Sequence, residues 1–486
     1  MNFSLYARFA LPKGGKMEEM IINQSLRQAV AQPSYAEAVS VIEEQIRNKS
    51  YRKLREIAEV IPAPDLAAIF GELEDRDEPI LFRLLSKEQA AEVFVELEAE
   101  TRERLIASFT DRELSEILSE LYIDDTVDLI EEMPAVVVKR ILRSSDPADR
   151  RVINQILNYP KQSAGSVMTT EYVRFIEGID VEAALTHIRR VAIDKETIYT
   201  CYVTDKDRHL TGVVTARELL TSELDTPLTD IMERNVLCVN THDDREEVAR
   251  VLNKYGLLAM PVVDSEGRLV GIITLDDAID VISEESEEDF AKMAAITPTE
   301  TPYLKASALS LFLSRVPWLL LLMLSSTVSG AILSGFEAAL PAVLVLFVPM
   351  IMGTGGNSGG QSSVTVTRSI SLAEVSFSDL PRVFWKELRV GILCGVSLGV
   401  VTFAKVMLVD RLMLGDDAIT LTVAVAIALS LTVTIIVAKM IGAILPLLAK
   451  KIGLDPAVMA SPLITTLVDA VSLVVYFLVS RSVLGL

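Results

Sequence analysis

The chain has 486 residues, with 46 Lys plus Arg against 67 Asp plus Glu and a formal net charge of −21, yet half of it is hydrophobic and its mean hydropathy is +0.37. Such a chain is segregated into unlike parts. Residues 306–486 hold 11 basic and 9 acidic residues, a balance of +2, which leaves 35 and 58, a balance of −23, for residues 1–305. That partition excludes a single soluble enzyme, a secreted disulfide scaffold and a nucleic-acid binder, whose footprint is basic.

Cys201, Cys238 and Cys394 are too scattered for a disulfide framework or a CxxC metal site, and His187, His209 and His242 all lie outside the apolar part; all six read as structural. Residues 1–34 form an N-terminal extension with a short apolar patch at residues 5–11, lacking the long apolar core and cleavage site of a secretion signal. The acidic half is therefore expected to stay where it is made.

Residues 35–160 read as wholly helical and repetitive. Glu72-Leu73, Glu96-Leu97 and Glu120-Leu121 recur every 24 residues, with Glu132-Met133 a further 12 on. Leu66-Ala-Ala-Ile-Phe70 and Ala90-Ala-Glu-Val-Phe94 show one helix twice. Short stacked helical hairpins, a small superhelical solenoid, are expected.

The next two segments, residues 161–225 and 226–283, repeat one another. Ser166-Val-Met168 opens the first and Asp230-Ile-Met232 the second; Tyr202-Val-Thr-Asp205 and Gly212-Val-Val-Thr215 return as Val262-Val-Asp264 and Gly271-Ile-Ile-Thr274. Each unit reads strand, acidic or glycine turn, strand, then helix. The pattern resembles a tandem pair of CBS domains, α/β regulatory modules that pack face to face and often bind adenosine nucleotides such as ATP. In that family a Thr or Ser followed three residues on by Asp touches the ribose. The second unit has Thr274 and Asp277 there, whereas the first has Glu218 at the matching place.

A run of acids follows: Asp276, Asp277, Asp280, Glu284, Glu285, Glu287, Glu288 and Asp289. It continues the second unit as a helix, and residues 284–305 form an acidic connection to the apolar half. Like charges at i, i+3 and i, i+4 repel, so the helix reads either as a solvated linker or as an element whose stability responds to cations.

Apolar runs of spanning length occupy roughly 316–335, 339–356, 390–410, 419–448 and 457–480. Arg368, Arg382, Lys386, Arg389, Lys450 and Lys451 fall in the loops after the second and fourth runs. The positive-inside rule then places the N-terminal half in the cytoplasm and the C-terminus outside a cell membrane. Two places break the lipid-facing pattern. One is Gly353-Thr-Gly355-Gly356-Asn357-Ser358-Gly359-Gly360, five glycines in eight residues, each destabilising helix by roughly 1 kcal/mol relative to Ala. An unwound break lining a wet cavity is expected, the alternative being close helix packing. The other is Asp469 in the fifth run, an ion-pathway carboxylate or a protonated interhelical contact. Thr465 and Thr466 lie on its helix face. Asp455 reads as a helix cap first and a pore-mouth charge second, and Lys405 and Lys439 as snorkelling or structural. Oxygen ligands, with no His and no Cys apart from Cys394, suit a hard cation rather than zinc or copper, and a symmetric pair of such carboxylates suits hydrated Mg2+.

Pro349, Gly355-Gly356-Asn357-Ser358-Gly359-Gly360-Gln361-Ser362, Leu454-Asp455-Pro456-Ala457 and Thr466-Leu467-Val468-Asp469, behind a helical domain and a CBS pair, resemble the MgtE family of magnesium channels over almost the whole chain. The resemblance implies a multi-domain fold: an all-α superhelical N domain, an α/β CBS pair and an all-α polytopic membrane domain, residues 306–486, with five transmembrane helices. It implies a homodimer in the lipid bilayer with one central pore, hydrated Mg2+ between the two Asp469 residues, and Asn357 nearby. It implies Mg2+ sensing at Glu92, Asp124, Asp128, Asp244, Glu246, Asp277, Asp280, Glu285, Glu288 and Asp289. Gly256 and Ser461 depart from the pattern, standing where an acid and an Asn are expected. The function implied is no enzyme but a Mg2+-selective channel for uptake, closed by cytosolic Mg2+; an ion-coupled Mg2+/Co2+ transporter is the neighbouring reading. An intramembrane aspartyl protease needs two facing Asp, and only Asp469 qualifies. A nucleotide-responsive sensor without transport needs no ionisable group in mid-span.

Overall fold

The computed structural model describes residues 35–299, 303, 306–337, 341–459 and 461–485; the expected N-terminal extension lies outside them. Two units divide it, Met1–Ile282 and Ser283–Leu486.

The first unit begins with ten helices: α1 (Ala36–Arg47), α2 (Tyr51–Ala58), α3 (Ala63–Phe70), α4 (Glu78–Phe82), α5 (Lys87–Glu96), α6 (Ala99–Ser108), α7 (Asp111–Leu118), α8 (Ile123–Glu132), α9 (Ala135–Ser144) and α10 (Pro147–Ile156). Helices α3, α5, α7 and α9 start at residues 63, 87, 111 and 135, and α6, α8 and α10 at 99, 123 and 147, so the 24-residue spacing is one hairpin. Alternate helices pack on one another, α3 on α5 and α5 on α7 in one layer, α4 on α6 in the other. The turns are fixed locally. Ser86 Oγ accepts from Gln89 N at 3.2 Å, Thr110 and Glu113 form a reciprocal capping box, and Pro62 and Pro134 sit at the N-caps of α3 and α9. Phe70, Phe82 and Phe94, twelve residues apart, stack edge to face at 6.1 and 6.0 Å between ring centroids. Each such contact adds about 0.5–1.5 kcal/mol to the burial itself.

Two three-stranded sheets follow. β1 (Tyr172–Ile176), β2 (Thr197–Thr204) and β3 (Leu210–Thr215) carry helices α11 (Val181–Val191) and α12 (Ala216–Thr221); after α13 (Leu228–Ile231), β4 (Val239–Asn240), β5 (Ala259–Val263) and β6 (Leu269–Thr274) carry α14 (Arg245–Tyr255) and α15 (Leu275–Met293). In each sheet the first strand is parallel to the second and the second antiparallel to the third. The two units are stitched by exchange. Thr169 and Ile272 trade backbone hydrogen bonds at 2.8 and 2.9 Å, as do Val213 and Glu233 at 2.9 Å each. The motif methionines explain the paired glycines. A Cβ on Gly271 would stand 2.6 Å from Met168 Sδ, and one on Gly212 would stand 2.5 Å from Met232 Sδ, so the methionine opening each unit fills the other unit's glycine notch.

In the second unit five helices among the described residues are long and apolar enough to cross a membrane: Ala308–Phe336, Ala342–Ser371, Phe377–Met413, Leu421–Lys451 and Pro456–Leu484. Their regular parts are α16 (Ala308–Glu337), the short α17 (Ala342–Val345), α18 (Val348–Ser371), α19 (Leu380–Lys405), α20 (Leu421–Lys451) and α21 (Ser461–Leu484). The expected unwinding is corrected: α18 runs as continuous helix through Gly353–Gly360. Its glycines serve close approach instead. A Cβ on Gly355 would stand 2.7 Å from Ser472 Oγ and 2.8 Å from a Thr434 methyl, and one on Gly359 would stand 3.0 Å from Val468. Within a bilayer no water competes for the helix hydrogen bonds, so the aqueous glycine penalty is outweighed by backbone-to-backbone packing. Gly391, Gly395 and Gly399 of α19, which the sequence reading passed over, seat α20 in the same way, with Thr432 Oγ1 donating to Gly395 O at 3.0 Å.

Candidate functional site

The most demanding electrostatic feature of the first unit is a knot of acids. Asp124 lies in the first turn of α8 and Asp277 in the first turn of α15, and helix N-termini favour acids. Glu196 precedes β2. Oxygens of Asp124, Glu196 and Asp277 lie within 4.8 Å of one another. Asp124 is 7% exposed. Neither its Oδ1 nor Glu196 Oε2, both buried, has a hydrogen-bond partner. Asp277 is tied back, its Oδ2 accepting from Thr274 Oγ1 at 2.5 Å. Burial, then the neighbouring Glu196 and Asp277 charges, push the Asp124 carboxyl well above the carboxylate range. Burial with Asp277 raises Glu196 to about 7 and Asp125 to about 6; burial, partly offset by Thr274, takes Asp277 to about 6. Each of the three residues offers one oxygen at this separation, and the cluster has two buried oxygens without a donor, an arrangement that a hard cation would satisfy. Ligands of one Mg2+ shell lie at most about 4.2 Å apart, at about 2.1 Å from the metal, a contraction within reach of side-chain rotation.

A second acidic group lies in the other unit and has its own cation. Lys292 Nζ sits 2.6 Å from Glu288 Oε1 and 2.6 Å from Asp455 Oδ2. Burial works against this ammonium, but Asp455 and Glu288 outweigh it and push its pKa up. Asp289 accepts from Ser371 Oγ at 2.9 Å, and burial raises its carboxyl. Asp455 also accepts from Ala457 N at 2.8 Å through Oδ1, so it is cap and ion-pair partner together.

The fold thus brings Asp124 together with Asp277, and gathers Glu288 and Asp289 around Lys292. The other expected sensing residues are more open. Glu92, Asp128, Asp244 and Asp280 are exposed, and Glu285 is half-buried. Asp244 Oδ1 caps α14 by accepting from Glu246 N and Glu247 N at 2.9 and 3.2 Å, and Glu246 lies 3.4 Å from Arg250. Gly256 has a structural reason to be no acid. It ends α14 in the left-handed conformation at φ 64°, which strains any side chain. Glu196 was missed, as were its neighbours Asp125 and Glu171. The signal was tertiary: β1 pairs Tyr172 with Thr197, and Glu196 N donates to Glu171 O at 3.1 Å.

In the membrane unit Asp469 lies on α21, half-buried, its Oδ1 3.4 Å from where a Gly356 Cβ would stand. That oxygen is buried without a partner. Thr466 does not serve it, since its hydroxyl donates to Pro462 O at 3.1 Å. Asn357 is exposed on α18. Lys405 does not need to snorkel, its Nζ pairing with Asp410 at 2.8 Å. Ser461 opens α21, and its side chain lies outside the described residues.

Comparison with known proteins adds the following. Residues 348–479 match the divalent cation transporter family MgtE, residues 61–162 the MgtE intracellular N domain, and residues 164–225 and 228–284 the CBS domain. The magnesium transporter MgtE of Thermus thermophilus is 38% identical over 91% of this chain and 98% of its own, and that of Bacillus subtilis 32% identical over 89% and 94%. A solved cytosolic domain of the Mg2+ channel MgtE in complex with ATP is 38% identical and covers 50% of this chain and 100% of its own, at a TM-score of 0.48. With its helical N domain, CBS pair and five apolar helices, the chain belongs to the MgtE family of magnesium transporters.

Proposed function

We propose that this chain is a Mg2+-gated channel for Mg2+ uptake, closed when cytosolic Mg2+ binds the Asp124–Glu196–Asp277 cluster. The observation that carries the gating reading is the pair of buried carboxylate oxygens, Asp124 Oδ1 and Glu196 Oε2, that no protein donor satisfies. Without a cation the three acids repel, which weakens the hold of the N domain, residues 35–160, on the second CBS unit. With Mg2+ bound across them the joined arrangement is favoured, and the population shifts accordingly. Asp277 opens α15, and the far end of that helix bonds Asp455 through Lys292. The helix, which ends at Met293, is together with the chain that follows it the proposed connection between the sensor and the membrane domain.

The passage itself is assigned to Asp469. A carboxylate at membrane depth costs several kcal/mol unless it serves water or a cation, and one such group per chain suits a homodimer in which two face a hydrated ion. The basic residues at the cytoplasmic loops support a cytoplasmic N-terminus and an outward C-terminus. ATP is assigned to the Thr274–Asp277 corner. There its ribose would share Asp277 with the cation, so nucleotide and Mg2+ influence each other's binding. In reconstituted vesicles, Asp469→Ala abolishes 28Mg uptake while the dimer persists; normal flux in that variant removes the passage assignment. Neutralising Asp277, Asp280 and Glu285 together leaves conduction and blunts inhibition by Mg2+; unchanged inhibition removes the sensor assignment. Single-channel conductance in a patch separates a channel from a coupled transporter.

A further inference from the structure

Lys439 is a charged residue where none is expected. It lies in α20, twelve residues before the helix ends at Lys451, about 18 Å along the axis at 1.5 Å per residue. Its side chain does not reach the interface: Lys439 is 5% exposed. An ammonium held at this depth costs several kcal/mol unless it is paired.

The pairing is indirect and spans three helices. Lys439 Nζ donates to Ser362 Oγ of α18 at 3.4 Å, and Ser362 in turn donates to Glu387 Oε2 of α19 at 2.6 Å. Ser362 is 2% exposed. One hydroxyl therefore relays a positive charge on one helix to a negative charge on another.

This clamp sits beside a close glycine-to-glycine contact between α18 and α20. Gly442, three residues after Lys439, meets Gly359, three residues before Ser362. A Cβ on Gly442 would stand 3.2 Å from Gly359 Cα and 3.0 Å from its carbonyl carbon. Gly359 also seats α21. Its own Cβ would meet Ile464 at 3.1 Å and Val468 at 3.0 Å, while one turn earlier Gly356 faces Thr465 and Asp469 Oδ1. The lateral position of α18 against α20 thus sets the seat of the helix that carries Asp469.

We infer that Lys439, Ser362 and Glu387 are positioning residues for Mg2+ passage: the Lys439–Ser362–Glu387 relay locks α18 between α19 and α20 and so fixes where Asp469 meets the ion. The inference rests on the reading of Asp469 as the passage residue and on no assumption about gating. Recognition of a hydrated ion tolerates displacements of only about 0.5 Å, so loosening the clamp acts on rate and on discrimination between divalent ions.

The test is uptake by the full-length chain in proteoliposomes, with Mg2+ and Co2+ measured separately, beside dimer state and Tm. Lys439→Met strands the half-buried Glu387 and Glu387→Gln strands the buried Lys439, and each lowers maximal Mg2+ uptake about tenfold or more. The double variant strands none, and recovers at least about half of the lost rate. Ser362→Ala keeps both charges but cuts the relay. It folds as the parent does, lowers maximal uptake about threefold or more with KM unchanged, and alters the Mg2+ to Co2+ ratio. If the single charge variants fail to reach the membrane, the double variant and Ser362→Ala carry the test. Parent-like rate and ion ratio in Ser362→Ala, or a double variant no better than the worse single, overturns the assignment. Uptake above the parent in Lys439→Met also overturns it, because the lysine would then be a barrier to cations.

Discussion

The two acidic clusters on α15 come from one stretch of sequence and end as opposite things. Near its start, Asp277 meets Asp124 and Glu196, with two buried oxygens lacking any donor. Near its end, Glu288 and Asp455 close on Lys292 at 2.6 Å each. The first cluster leaves two carboxylate oxygens without a donor, whereas the second holds an ammonium of the chain itself. A run of acids therefore does not define an ion site. What decides is whether the fold delivers a basic side chain to it, and a tethered ammonium has an effective concentration that a dilute ion must beat.

Removing the first cluster's charge has the largest expected effect. The parent full-length chain is expected to gain protection against protease on addition of Mg2+, and Asp124→Asn with Asp277→Asn abolishes that gain; full protection in that variant breaks the comparison. Next comes Lys292→Met, which takes the ammonium away from the second cluster and leaves it acidic like the first. In EDTA its Tm falls by several degrees, as loss of about 1–3 kcal/mol at a half-buried pair requires, and Mg2+ restores it more than it raises that of the parent. An equal Mg2+ increment in both proteins shows that Lys292 does not stand in for an ion. A third distinction is pH. Folding raises Asp125 and Asp277 to about 6 and Glu196 to about 7, so the folded chain keeps protons that the unfolded chain has released. Without Mg2+, stability falls as pH rises from about 4 through about 7. Mg2+ binds the charged form and flattens that fall, so its increment in Tm is larger at about pH 7.5 than at about pH 5; equal increments contradict this. The smallest expected effect is at Asp244, which caps α14. Asp244→Ala lowers stability by about 1 kcal/mol and leaves the Mg2+ response of uptake alone.

Much of the fold is legible because its signals are local or periodic. The 24-residue spacing is the hairpin from α5 to α7, and five apolar runs become five long helices. The glycine run misled because helix propensity is scaled to water, whereas Gly355, Gly356 and Gly359 face neighbouring helices with no room for a Cβ. Asp124 and Asp277 came from the family resemblance. Glu196 could not be found that way or by spacing, since only the parallel register of β1 on β2 brings it beside Glu171. Lys292 shows the same limit. Its partner Glu288 is readable at i, i+4, but Asp455 lies 163 residues away.

The most direct test of the account is the inhibition curve of Glu196→Gln. Mg2+ flux of the full-length chain is measured against Mg2+ on the side of its N-terminal domains. The account predicts an unchanged maximal flux and an inhibition midpoint raised about tenfold, the order expected for one lost charged ligand. A midpoint equal to the parent's contradicts it.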